Sequence, residues 1–147
     1  MASGKHTDSA TLLLRGGTVV DGTGAPRFDA DVRIEGERIA AVGANLANDG
    51  AVVLDASGKI VAPGFIDVHT HDDQIVLSAP GMLPKISQGV TTVVVGNCGI
   101  SLAPLVRADV PPPLNLLGPD KYVHPTMAAY VAAVDAARPA VNVVALV

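Results

Sequence analysis

The sequence contains no tryptophan, two phenylalanines and two tyrosines, so aromatic residues make up 3% of its 147 residues. Single-stranded nucleic acid is bound on stacked aromatic platforms, and too few rings are present to build one. Basic residues are scarce as well: ten Lys and Arg stand against fourteen Asp and Glu, a formal net charge of -4. They are scattered, with no stripe to neutralise a phosphate backbone. No nucleic-acid partner is expected. Nowhere do 18 apolar residues run together, and the opening "MASGKHTDSA" lacks the apolar centre of a secretory signal. The expectation is a cytoplasmic protein with no membrane partner. A single cysteine, Cys98, cannot form an internal disulfide, so its presence needs another reason.

What the chain does have is apolar residue in quantity, 49%, mostly Val, Ala, Leu and Ile, enough for the core of an ordinary domain. Its two parts are patterned differently. Residues 11–60 read as short segments broken by turn residues, among them "TLLLRGG", "TVVDGTG" and "AVVLDASGKIVAPG". In "DVRIEGERIAAVG" apolar residues alternate on either side of Gly36, the mark of a hairpin. Residues 1–63 are therefore expected to form a small antiparallel β domain.

After Pro63 and Gly64 the pattern becomes apolar strand, glycine-rich or polar loop, helix, strand, as in βα repeats. Strands are expected at 65–69, 91–95 and 141–147, and helices near 82–87 and 126–138. Uninterrupted runs such as "VVV" and "VNVVALV" suit parallel strands covered on both faces. The long connection from Gly99 to His124 holds three consecutive prolines and is not expected to be regular throughout. The last expected strand closes at Val147 with nothing after it. Residues 64–147 thus read as the first three βα units of an incomplete barrel, since a closed one takes ~250 residues.

The chemistry concentrates in "DVHTHDD", residues 67–73. Alternation along a strand would put Asp67, His69 and His71 on one face. Two imidazoles can then approach one cation, and zinc would need a further ligand nearby. Cys98 follows the next expected strand in "GVTTVVVGNCG". A right-handed crossover of this length lays the two strands side by side, with their C-terminal ends on one rim, where α/β folds keep their sites. On residues alone, a metal site and a polar strand end beside a buried thiol are equally good readings. Asp67 could orient a ligand histidine or simply bond backbone. Asp72 and Asp73 read as a solvated loop or helix start, His124 as a solvated loop histidine, and Asn97, Gly96 and Gly99 either as letting the backbone come close to a metal or substrate or as a plain turn. Leu102 and the leucines of 105–117 read as loop core or as the lining of an acyl pocket.

"APGFIDVHTHDD" followed by "GVTTVVVGNCGIS", with "PPPLNLLG" at 111–118, resembles the amidohydrolase superfamily, and within it the N-acyl-D-amino-acid deacylases, or D-aminoacylases. That group uses a cysteine after barrel strand two, where Cys98 stands here. The resemblance implies an α/β fold: a small β-sandwich-like unit, then the first strands of a metal-dependent (β/α)8 TIM barrel, truncated. It implies His69, His71 and Cys98 as ligands of zinc, one or two ions per complete site, with Asp67 beside them. It implies hydrolysis of small-molecule N-acyl-D-amino acids to a carboxylate and a D-amino acid. The group's later histidines, its proton-transferring aspartate and its carboxylate-gripping residues correspond to positions beyond Val147. No catalytic residue is therefore assigned within this chain, and the 147 residues alone are expected to be inactive. The other readings are a cyclic-amide hydrolase similar to dihydropyrimidinases and dihydroorotases, an enzyme using Cys98 as nucleophile, and a truncated, non-catalytic fragment.

Overall fold

The protein is described here by a computed structural model covering residues 11–118 and 120–147. Its contacts divide into two compact units that meet in sequence between Pro63 and Gly64.

The first unit holds β1 (Leu12–Val19), β2 (Phe28–Glu35), β3 (Arg38–Gly43), β4 (Val52–Asp55) and β5 (Ile60–Val61). They form one sheet in the order β3-β2-β1-β4, with β5 also paired to β1. The hairpin read from the alternation is present as β2 and β3, and Gly36 takes φ +61° in its two-residue turn, a conformation that glycine adopts without strain. The expectation of an antiparallel unit is corrected, because β4 and β5 both run parallel to β1. Residues 44–51 carry the chain back across the sheet instead of reversing it, and alternation within a strand says nothing about which way a strand arrives. The carboxylate of Asp31, 6% exposed, fastens this arrangement. Its Oδ1 accepts the Gly16 N–H at 2.8 Å, where β1 bulges, and its Oδ2 accepts the Leu46 N–H at 3.0 Å in the crossing segment. Val19, Ala30 and Val32 form the buried centre of the unit.

The second unit holds β6 (Phe65–Asp67), α1 (Ile75–Ser78), α2 (Leu83–Ile86), β7 (Val90–Val95), β8 (Leu105–Arg107), β9 (Tyr122–His124), α3 (Met127–Ala137) and β10 (Asn142–Ala145). Three parallel strands lie in the order β10-β7-β6. Among the described residues this is not a closed barrel. Val93 and Val95 of the central strand are fully buried against Val76, Leu102, Tyr122 and Tyr130. α3 starts where Thr126 Oγ1 accepts the Ala129 N–H at 3.1 Å, a serviceable N-cap directly after Pro125. It ends at Arg138, before Pro139, which cannot extend it.

Three elements of this unit, α1, β8 and β9, were not foreseen. α1 is a single turn, too short to show a helical period. The long connection carries an antiparallel pair, β8 with β9. That pairing changes the reading of His124, which lies in β9 with its ring edge-on to Tyr130 at 5.4 Å between centroids. Leu102 and Leu117 are core residues. No helix among the described residues is long and apolar enough to cross a membrane.

Candidate metal centre

Because β6 and β7 are parallel and adjacent, their C-terminal ends share one edge of the sheet. The strand leading to the histidines stops at Asp67, two residues short of the expected end. Its own sequence explains the stop: Asp67 Oδ1 accepts the backbone N–H of His69 at 3.3 Å, drawing that donor away from the ladder, as Asp side chains near a strand end do. Asp67 is in register with Val93, a core residue, so it belongs to the helix-covered side of the sheet, and strict alternation does not continue into His69 and His71. The next residue, Thr70, returns to the sheet edge and donates its N–H to Val94 O at 3.3 Å. The two imidazoles flanking it stand edge to face with centroids 5.8 Å apart.

Beyond β7 the chain turns sharply. Gly96 has φ +82°, Cys98 φ +59° and Gly99 φ +68°. At Gly96 only glycine fits: a Cβ there would lie 2.4 Å from the carbonyl oxygen of Leu146, whose N–H in turn bonds Val95 O at 3.0 Å. Cys98 occupies the left-handed region without being glycine, at a cost of ~1–3 kcal/mol, and such residues gather at functional sites. Between them Asn97 donates from Nδ2 to Val94 O at 2.7 Å and to Thr70 O at 3.3 Å. Thr70 is the residue between the two histidines, so Asn97 ties the cysteine turn to the histidine segment.

The outcome is a cluster. Ligand atoms of His69, His71 and Cys98 all lie within 4.8 Å of one another, and His69 Nε2 is 3.2 Å from the Cys98 sulfur. His71 Nδ1 is buried with no hydrogen-bond partner among the described residues, an uncommon condition for a buried nitrogen. Two imidazole nitrogens and one sulfur match the donor preference of zinc.

Asp72 and Asp73 lie directly before α1, where the Val76 N–H bonds Asp72 O at 2.9 Å, so the helix-start reading fits them better than a solvated loop. Asp73 is fully buried; burial pushes its carboxyl above the usual range, and only in part is this offset by the Gly96 N–H. Neither of its carboxylate oxygens has a partner of good hydrogen-bond geometry. Asp67 and Asp72 converge on Lys85 from α2, at 2.6 and 3.0 Å. The bond to Lys85 holds the Asp67 carboxyl below the ordinary range. Burial pulls the Lys85 ammonium down, but its two carboxylate partners outweigh that and leave it above the usual lysine value. Among the described residues Asp67 makes no hydrogen bond to either imidazole; its partners are the His69 backbone and Lys85. Neither the role of Lys85 nor that of Asn97 was read from the sequence. A signal for Lys85 was available, since it is the single Lys or Arg between Lys59 and Arg107, a stretch whose three acids, Asp67, Asp72 and Asp73, all precede it.

The chain is similar to known proteins over most of its length. A family model described as "Amidohydrolase family" matches residues 52–146. The N-acyl-D-aspartate deacylase of Alcaligenes xylosoxydans xylosoxydans is 49% identical over 139 residues, covering 94% of this chain and 28% of that protein. A D-aminoacylase structure studied for its binuclear metal center superposes with TM-score 0.88 at 54% identity, covering 92% of this chain and 29% of that one. The N-acyl-D-glutamate deacylase of Bordetella bronchiseptica, solved with zinc and a phosphonate inhibitor, does so with TM-score 0.82 at 48% identity and the same coverage. The chain thus spans less than a third of the length of these relatives. With more than half of its residues matched by the family model, it belongs to the amidohydrolase family.

Proposed function

We propose that this chain supplies the first part of a zinc-dependent hydrolase that cleaves the amide bond of N-acyl-D-amino acids, releasing a carboxylate and a D-amino acid. The observation that carries the reading is the meeting of His69, His71 and Cys98 donor atoms within 4.8 Å, in a chain about half identical to proteins named as deacylases of such substrates. The three side chains would hold zinc, one or two ions in the complete site. When bound, zinc supplies Lewis acidity for water activation and carbonyl polarisation. The chain's own residues bind and orient: Asn97 fixes the sulfur relative to the histidine segment, and Asp67 fixes the backbone of His69. None of its residues is assigned the proton transfer to the leaving amine.

A chimera tests this directly. This chain is placed in D-aminoacylase in exchange for the matching segment, to which it is 52% identical. The expected result is zinc-dependent turnover of an N-acetyl-D-amino acid that Cys98→Ala abolishes together with zinc content. A chimera that folds, holds zinc and leaves such substrates intact would contradict the proposal. Inactivation by Cys98 alkylation despite saturating zinc, with activity surviving chelation, would point to a cysteine nucleophile instead.

A further inference from the structure

We infer that Lys85 is a positioning residue for the histidine segment, setting the spacing of His69 and His71 before a metal binds; this rests on the metal reading proposed above. One ammonium reaches three points of a short stretch: Asp67 Oδ2 at 2.6 Å, Thr70 Oγ1 at 3.3 Å and Asp72 Oδ2 at 3.0 Å. These residues are the one two before His69, the one between the histidines, and the one directly after His71. The contact to Asp72 is an ion pair and not a directed hydrogen bond, since that oxygen has no hydrogen-bond partner.

An ammonium has three donors, and three oxygens surround this one. The group is partly withdrawn from water, with the Lys85 side chain 22% exposed and the two carboxylates 29% and 18%. Without Lys85, Asp67 and Asp72 would face each other as like charges across the histidines, and the segment would relieve their repulsion by opening. The bonds reach backbone as well as side chains: Asp67, held by Lys85 through one oxygen, holds the His69 N–H through the other. Movement of Lys85 is therefore passed to His69 through a single carboxylate. Ion pairs that keep contact with water contribute little to overall stability, so the consequence of this cluster lies in where it places the imidazoles. Partners one step removed from metal ligands typically change affinity by ~10–100-fold when lost.

The experiment measures zinc affinity of the D-aminoacylase chimera that carries this chain by chelator competition, together with the visible spectrum of its cobalt(II) form, for the unaltered chain, Lys85→Met, Lys85→Arg and, as control, the exposed Lys121→Met. Lys85→Met is expected to weaken zinc binding by ~10–100-fold and to alter the cobalt ligand-field bands. Lys85→Arg should recover most of the affinity and Lys121→Met should change nothing. Lys85→Met with unaltered affinity and an unaltered cobalt spectrum would overturn the inference and leave the metal reading standing. An unaltered chimera that binds no zinc would overturn the metal reading and this inference with it. Should Lys85→Met not fold, Asp72→Asn, which keeps the Asp67 pair, decides: several-fold weaker zinc binding supports the clamp, and unchanged binding refutes it.

Discussion

After β6 the chain is placed by side chains: Asp67, Thr70 and Asp72 gather around Lys85, and Asp67 bonds the His69 backbone. After β7 it is placed by its own backbone: three positive-φ residues within four positions, one of them pressed against the Leu146 carbonyl. Both loops leave the same sheet edge and meet at the same cluster, yet different changes should undo them. A loop held by ion pairs yields to loss of charge and to salt. A loop held by backbone geometry yields to an added methyl group and ignores salt. Asn97 bonds across from one to the other through Thr70 O, and the His69 ring meets the Cys98 sulfur between them.

The largest effect is expected on the backbone-held side. Gly96→Ala would set a Cβ 2.4 Å from the Leu146 carbonyl oxygen at φ +82°. The added contact and the strained dihedral together should cost on the order of 3 kcal/mol or more, read as a lower urea midpoint, with zinc binding lost as the turn shifts. A matching methyl group at Gly81, where nothing lies within 4 Å, should change little and so separate close packing from glycine loss in general.

Next comes the cysteine itself. Cys98→Ala should lower zinc affinity by on the order of 100-fold or more, as removal of one deprotonated ligand from a small zinc site does, while the metal-free fold keeps its stability. Cys98→Gly sharpens the comparison. It loses the metal equally, but it should raise the stability of the metal-free chain by about 1 kcal/mol, because glycine occupies φ +59° without the strain borne by cysteine. Such opposite changes in binding and stability would show that the turn is strained for the sake of the sulfur.

Asn97→Ala removes the bridge between the loops. It leaves the Val94 and Thr70 carbonyls without their side-chain donor, an expected loss of about 1–2 kcal/mol with weaker zinc binding. Smallest is the response to salt. Raising ionic strength from 0.05 to 0.5 M, values chosen to bracket a Debye length of ~10 Å at 0.1 M, should loosen the Lys85 cluster by a few tenths of a kcal/mol. Zinc affinity of the unaltered chain should fall slightly, and that of Lys85→Met should fall less.

Much of this could be read from residue order. The β-branched run of β7 and the alternation around Gly36 gave correct elements because period and composition agree there. The histidine pair and Cys98 stood out because few residue types bind zinc, and a crossover of that length forces the two strand ends together. Three features were hidden for physical reasons. The end of β6 at Asp67 depends on a side chain competing for a backbone donor, which alternation through "DVHTH" conceals. The parallel course of β4 and β5 depends on the path of residues 44–51 and on the buried Asp31 carboxylate. The Lys85 cluster joins residues of one helix to a loop 13 to 18 positions away, and no local pattern records such a pairing.

X-ray absorption at the zinc edge on the zinc-loaded chain bears most directly on whether nitrogen from the loop after β6 and sulfur from the turn after β7 share one ion. A mixed first shell is expected, with sulfur at ~2.3 Å and nitrogen at ~2.0–2.1 Å, the sulfur component disappearing in Cys98→Ala. A shell of nitrogen and oxygen alone, unchanged by that substitution, would contradict the site described for this chain.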